Sequence, residues 1–171
     1  ALDQATHLSQ SMFAIFRQNT SSQAKRLAKQ PGVMDCLTSR GQSCDISGIQ
    51  QELGERDRLL LLSKSGNPTG SIQGDSMAVF PRFTTEQIEI YIDRDSTSLM
   101  PVLNPPQFLS VFVPVRNDGD KIGALILTRA VDPDFQRATS QILESNQRFK
   151  ILGVRRDDIL PAIMQTFLLI Y

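Results

Sequence analysis

The stretch Phe108-Leu109-Ser110-Val111-Phe112-Val113-Pro114-Val115, then Asn117-Asp118-Gly119-Asp120, then Lys121 to Arg129, decides the fold. The first segment is rich in β-branched and aromatic residues and reads as a strand. Asp118-Gly119 suits the positive φ values that a tight hairpin turn needs. The returning segment places Ile122, Ala124 and Ile126 on one face and Gly123, Leu125 and Leu127 on the other. Both faces are apolar, which predicts a central strand covered on both sides.

Upstream, Leu59-Leu60-Leu61-Leu62 runs into Lys64-Ser65-Gly66-Asn67-Pro68, a strand entering a turn, with a second strand expected over Thr69 to Ile72. Ile88, Ile90 and Ile92 alternate with Glu89 and Tyr91. Period two favours a strand there, although Thr84-Thr85-Glu86 has the look of a helix start. Leu99 to Leu103 reads as a further short strand, and Pro105-Pro106 breaks the chain.

Helices are expected at both ends. Leu2, Ala5, Leu8, Met12, Ile15 and Phe16 recur at three- and four-residue steps, and Ala24, Leu27 and Ala28 continue the stripe. Gln18 to Gln23 is a polar turn within it, expected to be exposed or weakly packed. Pro31-Gly32 stops the helix, Val33 to Leu37 allows one more turn, and Ile49 to Leu53 a short helix. Asp132 is a good N-cap and Pro133 fits the first helical position of a last helix striped by Phe135, Ala138, Ile142, Phe149 and Leu152. The expected class is therefore α/β (α+β): an incoming helix over 1–30, a sheet core over 57–131 and an exit helix over 132–171 of a single domain.

Composition narrows function by exclusion. The chain has 171 residues, with Lys plus Arg at 18 balancing Asp plus Glu at 18. A nucleic-acid partner needs a basic face, so none is expected. One histidine, His7, and two cysteines do not make a metal site, and no cofactor motif occurs. His7 lies far in sequence from any strand-end loop, so a Ser-His-Asp site is not expected. The chain opens on Ala1-Leu2-Asp3 with no signal-peptide pattern. It closes on the apolar run Ile163 to Tyr171, shorter than the roughly 20 residues that span a bilayer. That run fits either the start of a transmembrane helix or a buried C-terminal helix. Arg155-Arg156-Asp157-Asp158 just before it suits a juxtamembrane position or paired charges on a helix face.

A helix entering a five-stranded antiparallel sheet and another leaving it resembles the plan of extracytoplasmic Cache, or PAS-like, sensor domains. Leu59 to Asn67 resembles the first hairpin of that fold, and Val111 to Val115 with Gly123 to Leu127 its last. Ile126-Leu127-Thr128-Arg129-Ala130-Val131-Asp132-Pro133, together with Ile151 to Tyr171, is similar to the sensor region of NtrY-type (nitrogen-regulation) histidine kinases. The resemblance implies a periplasmic sensor portion of a bacterial inner-membrane protein, acting as a homodimer and joined to the membrane through flanking helices. It implies a signal from a small molecule or a periplasmic protein, with the kinase chemistry outside these residues. A chemoreceptor ligand-binding domain fits the same features. A small periplasmic enzyme or a lipid-tethered interaction module is the alternative from other classes. So is a domain without a small-molecule ligand, which bulky apolar residues filling the sheet face would favour.

The resemblance also places candidate residues. Tyr91 and Asp93-Arg94-Asp95 fall where PAS-like sensors line their cavity, and Arg94 could grip a carboxylate in a two-pronged hydrogen bond. The alternative is a solvated charged loop. Arg82, after Pro81, is a further ligand candidate. Arg129 leaves the last strand and is expected to anchor the exit helix, with Asp132 and Pro133, through Asp132 or a neighbour. Apart from the resemblance, Cys36 and Cys44 close a small loop; in an oxidising compartment they would form a disulfide worth about 2–3 kcal/mol, and otherwise stand as two thiols.

Overall fold

The computed structural model describes residues 2–39, 47–75, 78–100 and 107–135, with 137, 141 and 144. The chain divides into two compact units, Phe13–Asp132, and Ala1–Met12 with Pro133–Tyr171. The first helix, α1, runs Leu2–Leu27, followed by α2 Pro31–Thr38 and α3 Ser47–Glu52. The helix expected to run to Pro31 ends earlier, at Leu27, and Pro31 and Gly32 instead form the first turn of α2, where the fixed φ of proline fits.

The strands β1 Asp57–Ser63, β2 Pro68–Gln73, β3 Ser98–Leu99, β4 Phe108–Asn117 and β5 Asp120–Ala130 form one five-stranded antiparallel sheet in the order β2-β1-β5-β4-β3. The hairpin between β4 and β5 turns on Asp118 (φ 49°) and Gly119 (φ 91°), the two positive values of a type I′ turn. That strand is central, and Gly123 to Thr128 are buried without a break. The structure is thus α+β, with an N-terminal helix and an antiparallel sheet.

The expected strand over Ile88 to Ile92 is not found. Residues 85–92 form a helix, α4 Thr85–Ile92, not a strand. Thr84 caps it: its Oγ1 accepts from Gln87 N at 3.2 Å, and Gln87 Oε1 accepts from Thr84 N at 3.0 Å. The isoleucine spacing that suggested period two also fits a helix. Ile88 and Ile92 are four apart, share a face and are buried, whereas Ile90 is 59% exposed on the other side.

Within Phe13–Asp132 the sheet has two cores. On one face Leu59, Leu61, Val111, Val113, Val115, Leu125 and Leu127 pack with Ala24 and Leu27 of α1, Val33 and Cys36 of α2 and Ile49 of α3. On the other, Leu62, Phe112, Ala124 and Ile126 pack with Ile88, Tyr91 and Ile92 of α4 and with Met100. Lys121 Nζ donates to Ile92 O, which satisfies a carbonyl left orphaned at the end of α4. In the other unit, His7 is exposed with its Nδ1 3.5 Å from Ser11 Oγ, residues 133–135 are helical, and Arg137 pairs with Asp134.

Candidate functional site

Strand register sorts the side chains into rows. On β1 and β5 the pairs Asp57↔Arg129, Leu59↔Leu127 and Leu61↔Leu125 point toward α1, while Arg58↔Thr128, Leu60↔Ile126 and Leu62↔Ala124 point toward α4. Two polar sites result, back to back on the same strand ends.

The first is a junction between α1 and the sheet. Asp57 is 1% exposed. Its Oδ1 accepts from Arg129 Nε at 2.7 Å and its Oδ2 from Arg129 Nη2 at 2.8 Å, a two-pronged ion pair. Gly54 N donates to Oδ2 at 2.9 Å, and Gln23 Nε2 approaches it at 3.5 Å. The guanidinium also donates to Gln23 Oε1 and, at 3.4 Å, to Thr20 Oγ1, and its Cζ lies 6.0 Å from the Phe16 ring centroid. Gln23 Nε2 donates to Glu52 O at 2.9 Å, tying in α3. The polar stretch Gln18 to Gln23 is therefore not weakly packed throughout: Thr20 is fully buried and Gln23 is part-buried, docked by hydrogen bonds where the apolar stripe pauses.

Arg129 anchors to Asp57, and Asp132 to Arg56, with Arg56 Nη1 donating to Asp132 Oδ2 at 3.0 Å. Pro133 begins the helical residues that follow. Val131 N donates to Gln107 O and Ala130 N to Arg56 O, each at 2.9 Å, so the backbone leaving β5 is held by its neighbours.

The second site is a cavity of about 430 Å³ on the α4 face, lined by Arg58, Leu60, Pro68, Ser71, Pro81, Arg82, Phe83, Ile88 and Thr128. Arg58 Nε donates to Ser71 Oγ at 3.3 Å. Ser110 Oγ and Thr128 Oγ1 are 2.9 Å apart and buried behind it. The segment after β2 folds back to wall the cavity: Gln73 Nε2 donates to Ala78 O at 3.3 Å, and the Phe80 ring lies 5.6 Å from Phe108. Among the described residues, no carboxylate lies within ion-pair distance of Arg58 or Arg82.

Of the candidates from sequence, Arg82 lines this cavity and Tyr91, Asp93 and Arg94 do not. Tyr91 is buried, 6.0 Å centroid to centroid from Phe112, and Arg94 is exposed with its Cζ 4.9 Å over the Tyr91 ring. Asp93 caps the end of α4, and Asp95 pairs with Arg116. Bulky apolar side chains fill the sheet face beneath α4, so the open volume lies beside that helix. Cys36 is buried and disulfide-bonded; Cys44, the only other cysteine in the sequence, lies outside the described residues. So do Ile151 to Tyr171, which hold the terminal apolar run.

Sequence reasoning missed Arg58, Asp57, Thr20 and Gln23. The polar interruption of the α1 stripe was the available signal for Thr20 and Gln23. For Asp57 and Arg58 there was none, because strand pairing alone sets them opposite Arg129 and Thr128. Among the described residues no helix is long and apolar enough to cross a membrane, and no cluster of acidic, His and Cys side chains could hold a metal ion. No family model matches the chain, and no curated protein matches it.

Proposed function

We propose that this chain is the extracytoplasmic sensor domain of a bacterial membrane-bound two-component histidine kinase, with a PAS-like sheet. The strand order β2-β1-β5-β4-β3 is that of a PAS-like sheet and supports the fold reading. The observation that carries the function is the buried Asp57–Arg129 pair and its bonds to Thr20 and Gln23. It ties the N-terminal helix to the strand that leads into Asp132 and Pro133. A displacement of β1 or β5 thus acts on α1 and on the outgoing chain together.

In this reading, binding shifts the population between two arrangements of the helices that lead to the membrane. The exit helix over 132–171 continues into a transmembrane segment, and the kinase beyond the bilayer changes its rate of histidine phosphorylation. The domain acts as a homodimer, and Ile15 of α1 offers a large apolar side chain at 57% exposure. The filled face beneath α4 favours a second reading, a sensor driven by a periplasmic protein rather than a small molecule.

The test is biochemical. The complete gene product is expressed, and the membrane fraction is incubated with labelled ATP. Acid-labile, alkali-stable label on a membrane-bound protein is the result expected. A complete product that stays out of the membrane, or takes no such label, refutes the reading.

A further inference from the structure

We infer that the cavity beside α4 is a binding site for a small organic carboxylate with an apolar body. Arg58 rises from β1 and Arg82 from the segment that folds back over the sheet, so two parts of the chain bring two arginines to the lining of one cavity. Neither is neutralised by a carboxylate among the described residues. Two arginines at one cavity suit an anion that can accept from both. A guanidinium presents a planar fork that matches a carboxylate in a two-pronged bond. Ser71, whose Oγ accepts from Arg58 Nε, adds a hydroxyl beside that guanidinium.

The remaining walls set the rest of the ligand. Leu60, Phe83 and Ile88 are apolar, so a hydrated inorganic anion would leave them facing water, whereas a short hydrocarbon body would cover them. The volume of about 430 Å³ lies in the range of small-molecule sites, roughly 300–1,000 Å³.

The position also gives the ligand a lever. Arg58 follows Asp57 on β1, and Thr128 precedes Arg129 on β5. The cavity and the buried ion pair are therefore consecutive rungs of the same ladder, one facing α4 and the other α1. A carboxylate drawn onto Arg58 pulls on the backbone that carries Asp57. That lever rests on the sensor reading, while the binding itself does not.

The experiment uses the purified chain, with butyrate and succinate as probes and sodium sulfate at matched ionic strength as control. A ligand that binds only the folded state raises the Tm with concentration. The expected result is a saturable rise with butyrate or succinate and none with sulfate. Arg82→Gln and Arg58→Gln should each weaken binding about tenfold or more, the scale of one lost charge-assisted bond. Arg82 is exposed, so Arg82→Gln should melt like the wild type without ligand. The inference is overturned if neither carboxylate shifts the Tm, if sulfate shifts it equally, or if the Arg82 variant binds as the wild type does. Failure here leaves the phosphorylation test of the sensor reading intact. Binding without any phosphorylation would keep the site and remove the sensor.

Discussion

Arg129 carries more of the structure than any other charged residue described. Its fork closes on Asp57, a carboxylate 1% exposed, and its other nitrogens hold α1 through Gln23 and Thr20. Removing one partner of such a pair leaves a buried charge without compensation, which costs about 3–5 kcal/mol. Arg129→Ala is expected to lower the unfolding free energy from urea titration by that amount, and Arg129→Lys to fall between, since an ammonium cannot bridge both oxygens. A loss under about 1 kcal/mol, the range of an exposed pair, would refute the assignment. Two glycines separate backbone strain from crowding. At Gly119 (φ +91°) a Cβ meets nothing within 4 Å, so Gly119→Ala should cost only the left-handed strain, about 1–2 kcal/mol. At Gly123 a Cβ would lie 2.4 Å from Leu62 O, and 3.0 Å from Leu37 Cδ2 of α2. Gly123→Ala must push backbone apart in the central strand and is expected to cost about 3 kcal/mol or more. Equal midpoints for the two variants would contradict this.

At the scale of elements, α4 depends on its first turn. Thr84→Ala removes a capping box and is expected to cost about 1 kcal/mol, with faster hydrogen exchange at Ile88 to Ile92 and little change in β4 and β5. Uniform acceleration across the sheet would mean that α4 does not open by itself. The same helix shows where the sequence was legible and where it was not. The β4–β5 hairpin could be read because its signals are local: alternation, then Asp118-Gly119, then alternation again. For α4, Ile88 and Ile92 satisfy both periods while Ile90 fits only the strand, and it is Gln87, acting on Thr84 three residues back, that marks the helix. The cavity was half legible. Arg82 followed Pro81 in a loop and drew attention, whereas Arg58 looked like the start of a hydrophobic strand until pairing placed it opposite Thr128. Likewise, Asp57 and Arg129 are 72 residues apart, and no sequence period connects them.

For the molecule as a whole, the proposed ligand cavity and the proposed hold on α1 lie on adjacent rungs of β1 and β5. In the proposed sensor, a pull at Arg58 and Thr128 is passed to Asp57 and Arg129, their neighbours along the same two strands. Gln23 is, with Thr20, one of two side chains through which Arg129 grips α1, and it is only part-buried, so it can be shortened without emptying the core. The most direct measurement is therefore histidine phosphorylation of the complete gene product in membranes, wild type against Gln23→Ala, with folding of each checked by thermal melting. The expected result is a folded variant whose phosphorylation rate changes several-fold, because one of the two hydrogen bonds from Arg129 to α1 is lost while that to Thr20 stays. A folded variant that phosphorylates at the wild-type rate, or a wild type that takes no phosphate at all, would contradict it.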